Sequence, residues 1–465
     1  MHENLFEMLD QISDRHLEEA GGWKLRRQRI WVRAVAAVLA VVMLLVLFQP
    51  EPTAVQAQEL VSPAGFSLPE RPREEDYPDW ERYRDALEEY RESERNRSQA
   101  ANQAMTTMAD FWKDSFRVFL EGDENEVWSP VNAYLSLAMM AQAASGETRQ
   151  EILDALGVDS IDALQEDVQA IFQQVWRDEV NSKRLLANSI WLDADFTYRQ
   201  ENLDILGERY YASVYRTELD HPAAEEDIQT WMMENTDGFL TDLSPSGSSD
   251  MGRRVLTLAS TIFVDENWLE TFDPEMSRPG TFHAPVGDVD CTYMNALMEG
   301  RPYARLDNCT VTALATEAGC YFWVILPDAG TSVSDLLNSG DYLSAILGQD
   351  LERRKVRLTM PKFDISDSMD LSDGLKKLGI RRAFSLLQGD FSGTLDGEWP
   401  IFVSEIRQSS RIQVDETGIR AASGTVVDLI SAGLDEPVTM VLDRPFLFLL
   451  TVGDIPLFAG MVAEP

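Results

Sequence analysis

Val414-Asp415-Glu416-Thr417-Gly418-Ile419-Arg420-Ala421-Ala422-Ser423-Gly424-Thr425-Val426-Val427-Asp428-Leu429 is the stretch that decides how this chain folds. At period two, one face carries Ile419, Ala421, Ser423, Thr425, Val427 and Leu429, all compatible with burial in a sheet. The other face carries Arg420, Ala422, Gly424, Val426 and Asp428, which water tolerates. So many Ala, Gly and Ser residues build a permanent strand poorly. The stretch reads as a loop able to become a strand. Small-residue runs are more often plain connectors, so the rest of the chain has to choose between these readings.

At 465 residues the chain exceeds one ordinary core, and 44% hydrophobic residues are enough to build a large one. There are 79 acidic against 40 basic residues, for a net charge of −39. Acids and bases balance up to Arg33; the acidic excess lies beyond it. Such a surface repels nucleic acid, anionic membranes and polyanionic cofactors. Cys291, Cys309 and Cys320 form no C-x-x-C unit or disulfide framework, although a Cys309–Cys320 bridge is compatible with the spacing. The four histidines, His2, His16, His221 and His283, are isolated. No H-E-x-x-H pair, G-x-S-x-G elbow or phosphate loop occurs, and Gly389-Asp390-Phe391-Ser392-Gly393 reads as a turn. No metal, cofactor or catalytic set is expected. A large domain without catalytic chemistry points to binding or mechanics rather than to an enzyme.

Residues 34–48 are apolar and uncharged, and extension to residue 30 adds only Arg33. At 1.5 Å per residue, about 19 helical residues just cross the ~30 Å hydrocarbon layer. Lys24, Arg26, Arg27, Arg29 and Arg33 precede the run, which places the N-terminus in the cytoplasm and the bulk outside. A cleaved signal peptide ending at Val55-Gln56-Ala57 is the competing reading; a buried soluble helix is a third. The long lead, with Glu3, Glu7, Asp10 and Asp14, argues against cleavage and reads as a short amphipathic helix. The expected organisation is a cytoplasmic lead (1–29), a transmembrane anchor (30–48), a Pro- and acid-rich linker with a charged spacer helix (49–103), and an α+β domain (104–465).

Within that domain, Ser129-Pro130 opens an apolar helix, with Ser as N-cap and Pro in the first turn. Strands are predicted over 186–192, 255–264, 310–315, 321–326, 355–360, 438–442, 446–452 and 457–462. Trp128-Ser129-Pro130-Val131-Asn132-Ala133-Tyr134-Leu135-Ser136-Leu137-Ala138-Met139-Met140 and Gly146-Glu147-Thr148 resemble the second-helix signature of the serpins. Ala187-Asn188-Ser189-Ile190-Trp191, then Thr261-Ile262-Phe263 through Trp268 and Phe272-Asp273-Pro274, resemble strands and a turn that follow it. Ile325-Leu326-Pro327-Asp328, Met360-Pro361-Lys362-Phe363, Asp390-Phe391-Ser392-Gly393 and Asp443-Arg444-Pro445-Phe446-Leu447-Phe448 continue the family's order. The resemblance runs from about Phe111 to Pro465.

The resemblance implies three β-sheets, about nine helices and an exposed reactive loop. It also implies suicide inhibition, in which a serine or cysteine protease cleaves the loop and is acylated. The loop then enters the central sheet and drags the enzyme with it. If ~10 new hydrogen bonds contribute ~1 kcal/mol each, insertion yields on the order of 10 kcal/mol. The uncleaved form is then kinetically held. Glu416, Gly418, Ala421, Ala422 and Thr425 match the family's hinge, which also takes in Ser423 and Gly424. Ile419 stands where the family has Thr or Ser, and Arg420 where it has Glu.

Counting by the family's loop length reaches Ala432 from Gly418 and Leu434 from Pro445, so Ser431, Ala432, Gly433 and Leu434 bracket the cleaved bond. Their small, uncharged side chains suit elastase-, subtilisin- or chymotrypsin-like targets rather than trypsin-like ones. Ser129 and Asn132 match the helix members of the cluster that controls sheet opening; Ser260 replaces the family's Asn and Gln408 its His. Gln408 is expected to reach Ser260 or Asn132. Trp268 matches the tryptophan where insertion begins. The function expected is a monomeric, membrane-tethered protease inhibitor on a bacterial surface. A non-inhibitory binding protein of the same fold and a surface sensor signalling through the anchor are the alternatives.

Overall fold

The computed structural model of the protein describes residues 57–65, 68–69, 71–121, 124–180, 182–240, 254–339, 342, 343, 346, 351–397, 400–403, 406–419 and 436–465. The chain divides into Met1–Val55 and Gln56–Pro465, and only the second unit contains described residues. The lead and the anchor expected over 1–48 therefore lie outside the described residues. No helix among those described is long and apolar enough to cross a membrane.

Helix α1 runs without a break from Trp80 to Phe119, 40 residues, its first turn capped by the Asp79 side chain. The charged spacer helix expected within 49–103 and the start of the domain expected at 104 are thus one element about 60 Å long at 1.5 Å per residue. The reason is visible in the sequence: neither Gly nor Pro occurs between its ends. All the buried side chains, from Ala101 through Phe111 and Trp112 to Phe119, lie in the second half. The remaining helices are α2 (Pro130–Ala143), α3 (Gly146–Leu156), α4 (Ile161–Val175), α5 (Gln200–Arg209), α6 (Pro222–Glu234), α7 (Val333–Ser339) and α8 (Ser372–Lys377). The α2 helix starts as its Ser-Pro signature predicts, with the Ser129 hydroxyl accepting from Asn132 N. It is buried at nearly every position because it packs against strands of both sheets.

The first sheet holds β1 (Gln58–Val61), β5 (Ala212–Thr217), β4 (Ser182–Asp193), β6 (Leu256–Asn267), β14 (Gly418–Ile419), β13 (Arg407–Val414) and β12 (Phe363–Asp370), in that spatial order; the short β3 (Arg177–Glu179) pairs with β4. Gln58–Val61, expected to be plain linker, forms an edge strand antiparallel to β5. The second sheet runs β15 (Val438–Val441), β11 (Glu352–Pro361), β8 (Gly287–Arg305), β9 (Cys309–Ala315), β10 (Cys320–Pro327), β16 (Phe446–Val452), β17 (Ile455–Val462) and β2 (Glu126–Trp128), with β7 (Arg278–Ala284) paired to β8.

The described residues form two hydrogen-bonded sheets, where three were expected, and eight α-helices, against about nine expected for the whole chain. Two of the implied sheets merge because the 19-residue β8 pairs with β7 and β11 along most of its length and with β9 at its end. Cys309 faces Pro327 across the β9–β10 hairpin while Cys320 lies at its other end, which rules out a bridge between them; all three cysteines are free.

One buried acid has a cost. The Asp167 carboxylate on α4 accepts from the Tyr134 hydroxyl of α2 at 3.4 Å. Burial pushes its pKa up to about 6, and the Tyr134 bond only partly offsets this. A carboxyl whose folded pKa is raised favours the folded state while protonated. That contribution is full below about pH 4 and is lost as pH rises through 6. Asp167→Asn should therefore stabilise the protein at pH 7.5 by about 1–2 kcal/mol after solvent screening, and leave it unchanged at pH 4. Denaturant unfolding at the two pH values measures this; an equal effect at both would contradict it.

Candidate functional site

Among the described residues, the centre of the first sheet is sparsely paired. On one side β4 and β6 are laddered along eleven residue pairs, and on the other β12 and β13 along eight. Between β6 and β13, the only strand among the described residues is the two-residue β14. Below it lies a shallow gap lined by residues that include Ile262, Val264, Ile412 and Ile419. Among the described residues no further strand bridges β6 and β13, and we call this interval the slot.

The predicted loop begins inside this slot. Residues 415–418 turn the chain back on β13, with Asp415 Oδ1 accepting from Thr417 N at 2.8 Å and Thr417 Oγ1 at 2.6 Å. Gly418 then pairs with Asn267, and Ile419 with both Val414 and Glu266. A Cβ on Gly418 would lie 2.1 Å from Glu266 O, so only glycine admits the chain here. Ile419 falls on the buried face, as its period-two position implies, and is 3% exposed within the core. The loop was expected to stand clear of the sheet; its first two residues are already in it, because an apolar Ile gains by burial what Thr or Ser would not.

Glu416 is held in the turn, beyond the end of β13. Its carboxylate takes Lys362 Nζ at 2.5 Å and Ser277 Oγ at 2.6 Å. Burial pushes the carboxyl up, but these partners outweigh it and hold the pKa below the usual value. Trp268 is 1% exposed, and its Nε1 donates to Asp415 O at 2.9 Å while its backbone N donates to Thr417 O at 3.0 Å. The tryptophan therefore carries the turn from which the loop departs. Arg420, Ala421, Ala422, Ser423, Gly424 and Thr425, and the bracket Ser431, Ala432, Gly433 and Leu434, lie outside the described residues.

Deeper in the sheet the predicted cluster forms with a different wiring. Asn132 Nδ2 donates to Ser260 O at 2.8 Å, and Ser260 Oγ donates to Asn132 Oδ1. Gln408 reaches neither residue. Its Oε1 accepts from Ser129 N at 2.7 Å and its Nε2 donates to Ser129 O at 3.0 Å. The amide, with a donor and an acceptor side by side, matches the backbone pair of Ser129. The Ser129 hydroxyl donates in turn to Leu457 O at 2.6 Å. Gln408 thus ties β13 to the start of α2, and Asn132 ties α2 to β6, from opposite sides of the slot.

Two sets of partners had no signal in the sequence. At the top of the slot Glu266, fully buried, pairs with Arg184 at 3.0 Å and accepts from Ser182 and Thr316. Burial pushes its carboxyl up against the pull of Arg184. Over the slot's outer face, the segment after α6 brings Phe239 against Phe263 of β6. Arg411 of β13 stacks on the Phe239 ring at 4.6 Å, donates to Phe239 O at 3.2 Å and makes a two-pronged pair with Asp364. Any strand entering beyond Ile419 must part Phe239 from Arg411. Residues some 170 apart in sequence meet here, which no local pattern announces.

Gln408→Leu leaves two buried backbone groups of Ser129 without that partner and should cost about 2–3 kcal/mol in denaturant unfolding; a loss below 0.5 kcal/mol would show that the tie does not hold the slot. Gly418→Ala should drive β14 out of the sheet. Its sign is faster amide exchange at Glu266 and Ile419, and unchanged exchange there would show that the close approach is not limiting.

Residues 106–465 match the family profile described as Serpin (serine protease inhibitor). Serpin-Z1C of Triticum aestivum is 27% identical over 360 residues, covering 73% of this chain and 90% of that protein. Serpin-ZX of Arabidopsis thaliana is 27% identical over 366 residues, covering 74% and 93%. The native-state crystal structure of tengpin, a thermophilic serpin, superposes with a TM-score of 0.71 at 25% identity, over 88% of this chain and all of that one. A loop rooted between β6 and β13 and a family match over residues 106–465 lead to one conclusion: the chain belongs to the serpins, protease inhibitors rather than enzymes.

Proposed function

We propose that this protein is a membrane-tethered inhibitor of serine proteases, or of cysteine proteases, that acts by trapping the acyl-enzyme. The protease nucleophile attacks a carbonyl carbon between Ser431 and Leu434, the peptide amine leaves, and the loop stays bound as an ester or thioester. Residues from 420 onward then enter between β6 and β13 and carry the enzyme away from the reactive geometry. The open slot, already entered by Gly418 and Ile419, is the observation that chiefly supports this. Small or apolar residues at 431–434 favour elastase-, subtilisin- or chymotrypsin-like targets. The apolar run at 30–48, with its basic N-terminal flank, favours a single-pass anchor with the N-terminus in the cytoplasm and the inhibitor outside, on a bacterial surface.

One observation favours a second reading. Ile419 is buried where the family has a small polar residue, and Arg420 follows it. A loop arrested at this point would make a binding protein with no inhibitory stroke. Full-length protein incubated with elastase, subtilisin, chymotrypsin and trypsin separates the two. The inhibitor reading predicts complexes with the first three that survive denaturing electrophoresis, and none with trypsin. Clean cleavage at 431–434 with no stable complex would leave the binding protein as the answer.

A further inference from the structure

Outside the slot, the charge distribution has one marked anomaly. In a chain of net charge −39, Arg353, Arg354, Lys355 and Arg357 stand within five residues of β11. Strand alternation sends Arg353, Lys355, Arg357 and Thr359 to one side. Val356, Leu358 and Met360, which alternate with them, are buried on the other. Across the ladder Arg357 faces Leu297 of β8 and Thr439 of β15; the next row is Asn295, Thr359 and Val441. Leu297 is 46% exposed and Val441 36%. The outer face of β15–β11–β8 thus joins an apolar centre to a row of cations.

Three nearby carboxylates are already engaged, while Glu436, exposed just before β15, has no ion pair among the described residues. Glu299 holds Lys355 at 2.6 Å, Glu352 holds Arg354 at 3.2 Å, and Glu270 holds Arg301 at 2.5 Å. Arg353 is exposed, and its guanidinium donates to the backbone carbonyl of Gly300 at 3.0 Å. Arg357 is exposed. Among the described residues neither guanidinium has a carboxylate partner, which suits both to an outside one. Position supplies its identity: β15 starts at Val438, four residues after Leu434, or ~13 Å of extended chain. A protease that engages 431–434 is held by the chain within that reach of the start of β15.

We propose that the β15–β11–β8 face is a docking surface for the target protease, which it recognises through an acidic patch beside the protease's active-site cleft. This rests on the reading of 431–434 as the attacked segment. Exposed Leu297 and Val441 favour a folded protein over a polysaccharide, which would use only the cations. Repulsion from the rest of the molecule does not cancel the attraction, because at physiological salt charges beyond ~8 Å are largely screened.

The test is the second-order rate at which subtilisin attacks the loop of the full-length protein, counting released cleaved chain and trapped complex together. Subtilisin is used as isolated and after succinylation of its surface lysines, which makes it acidic. Succinylation should speed attack on the wild type about 10-fold at 0.15 M salt, and this gain should vanish at 1 M salt. Arg353→Glu with Arg357→Glu should abolish or reverse the gain, and Arg353→Gln with Arg357→Gln should reduce it. An identical gain for wild type and both variants overturns the proposal. So does variant-sensitive retention on a sulfated-polysaccharide column combined with equal attack ratios. Loss of the trapped complex with the rate pattern intact would instead overturn the inhibitory reading and leave the docking surface standing.

Discussion

The organisation of this protein follows from how few pairs join the two halves of its central sheet. Among the described residues, β6 and β13 are each fully laddered on one side and joined on the other only through β14. Unpaired backbone groups in a buried sheet are costly, so the native fold lowers the cost in other ways. Ile419 plugs the top of the slot, Phe239 and Arg411 cover its outer face, and Gln408 and Asn132 secure its two walls to α2. Each substitute is worth a few kcal/mol at most, whereas a full new strand is worth on the order of 10 kcal/mol. On the proposed mechanism the native state is the shallower of two minima, held by contacts that sit across the path of the strand.

The placement of polar groups around the slot has the same logic. Its top is charged and fully buried, with Glu266 paired to Arg184 directly opposite Ile419. Such a pair gains little net stability, since desolvation offsets its attraction, but removing either partner strands the other. It fixes β4 and β6 as one rigid wall. Lower down the lining is apolar, which suits the small, alternating residues of 421–429. Gly418 joins the two regions, the one position where the chain crosses β6 too closely for any side chain.

Local pattern made a large part of this readable. The Ser129-Pro130 cap, the strands at 446–452 and 457–462, and the buried face of Ile419 all follow from short-range periodicity and capping. Ordered family motifs supplied the topology. Less was readable where residues far apart in sequence meet. The wiring of Gln408 depends on how β13 docks against α2, and the Arg411–Phe239 contact on how the segment after α6 crosses the sheet. The edge strand at Gln58–Val61 hid in a proline-rich linker, because pairing with β5 overrode its composition. The expected boundary at 104 falls inside the continuous α1, whose burial changes halfway although nothing in its sequence interrupts the backbone ladder.

That the slot is a vacant strand position, and the segment after Ile419 its occupant, can be measured without any choice of physiological target. The chain is nicked once within 431–434 by catalytic subtilisin, and its guanidinium unfolding is compared with that of intact protein. Insertion predicts a large rise in the midpoint for the nicked form, corresponding to stabilisation on the order of 10 kcal/mol. A nicked protein that unfolds at the same midpoint as the intact one, or below it, would contradict the account.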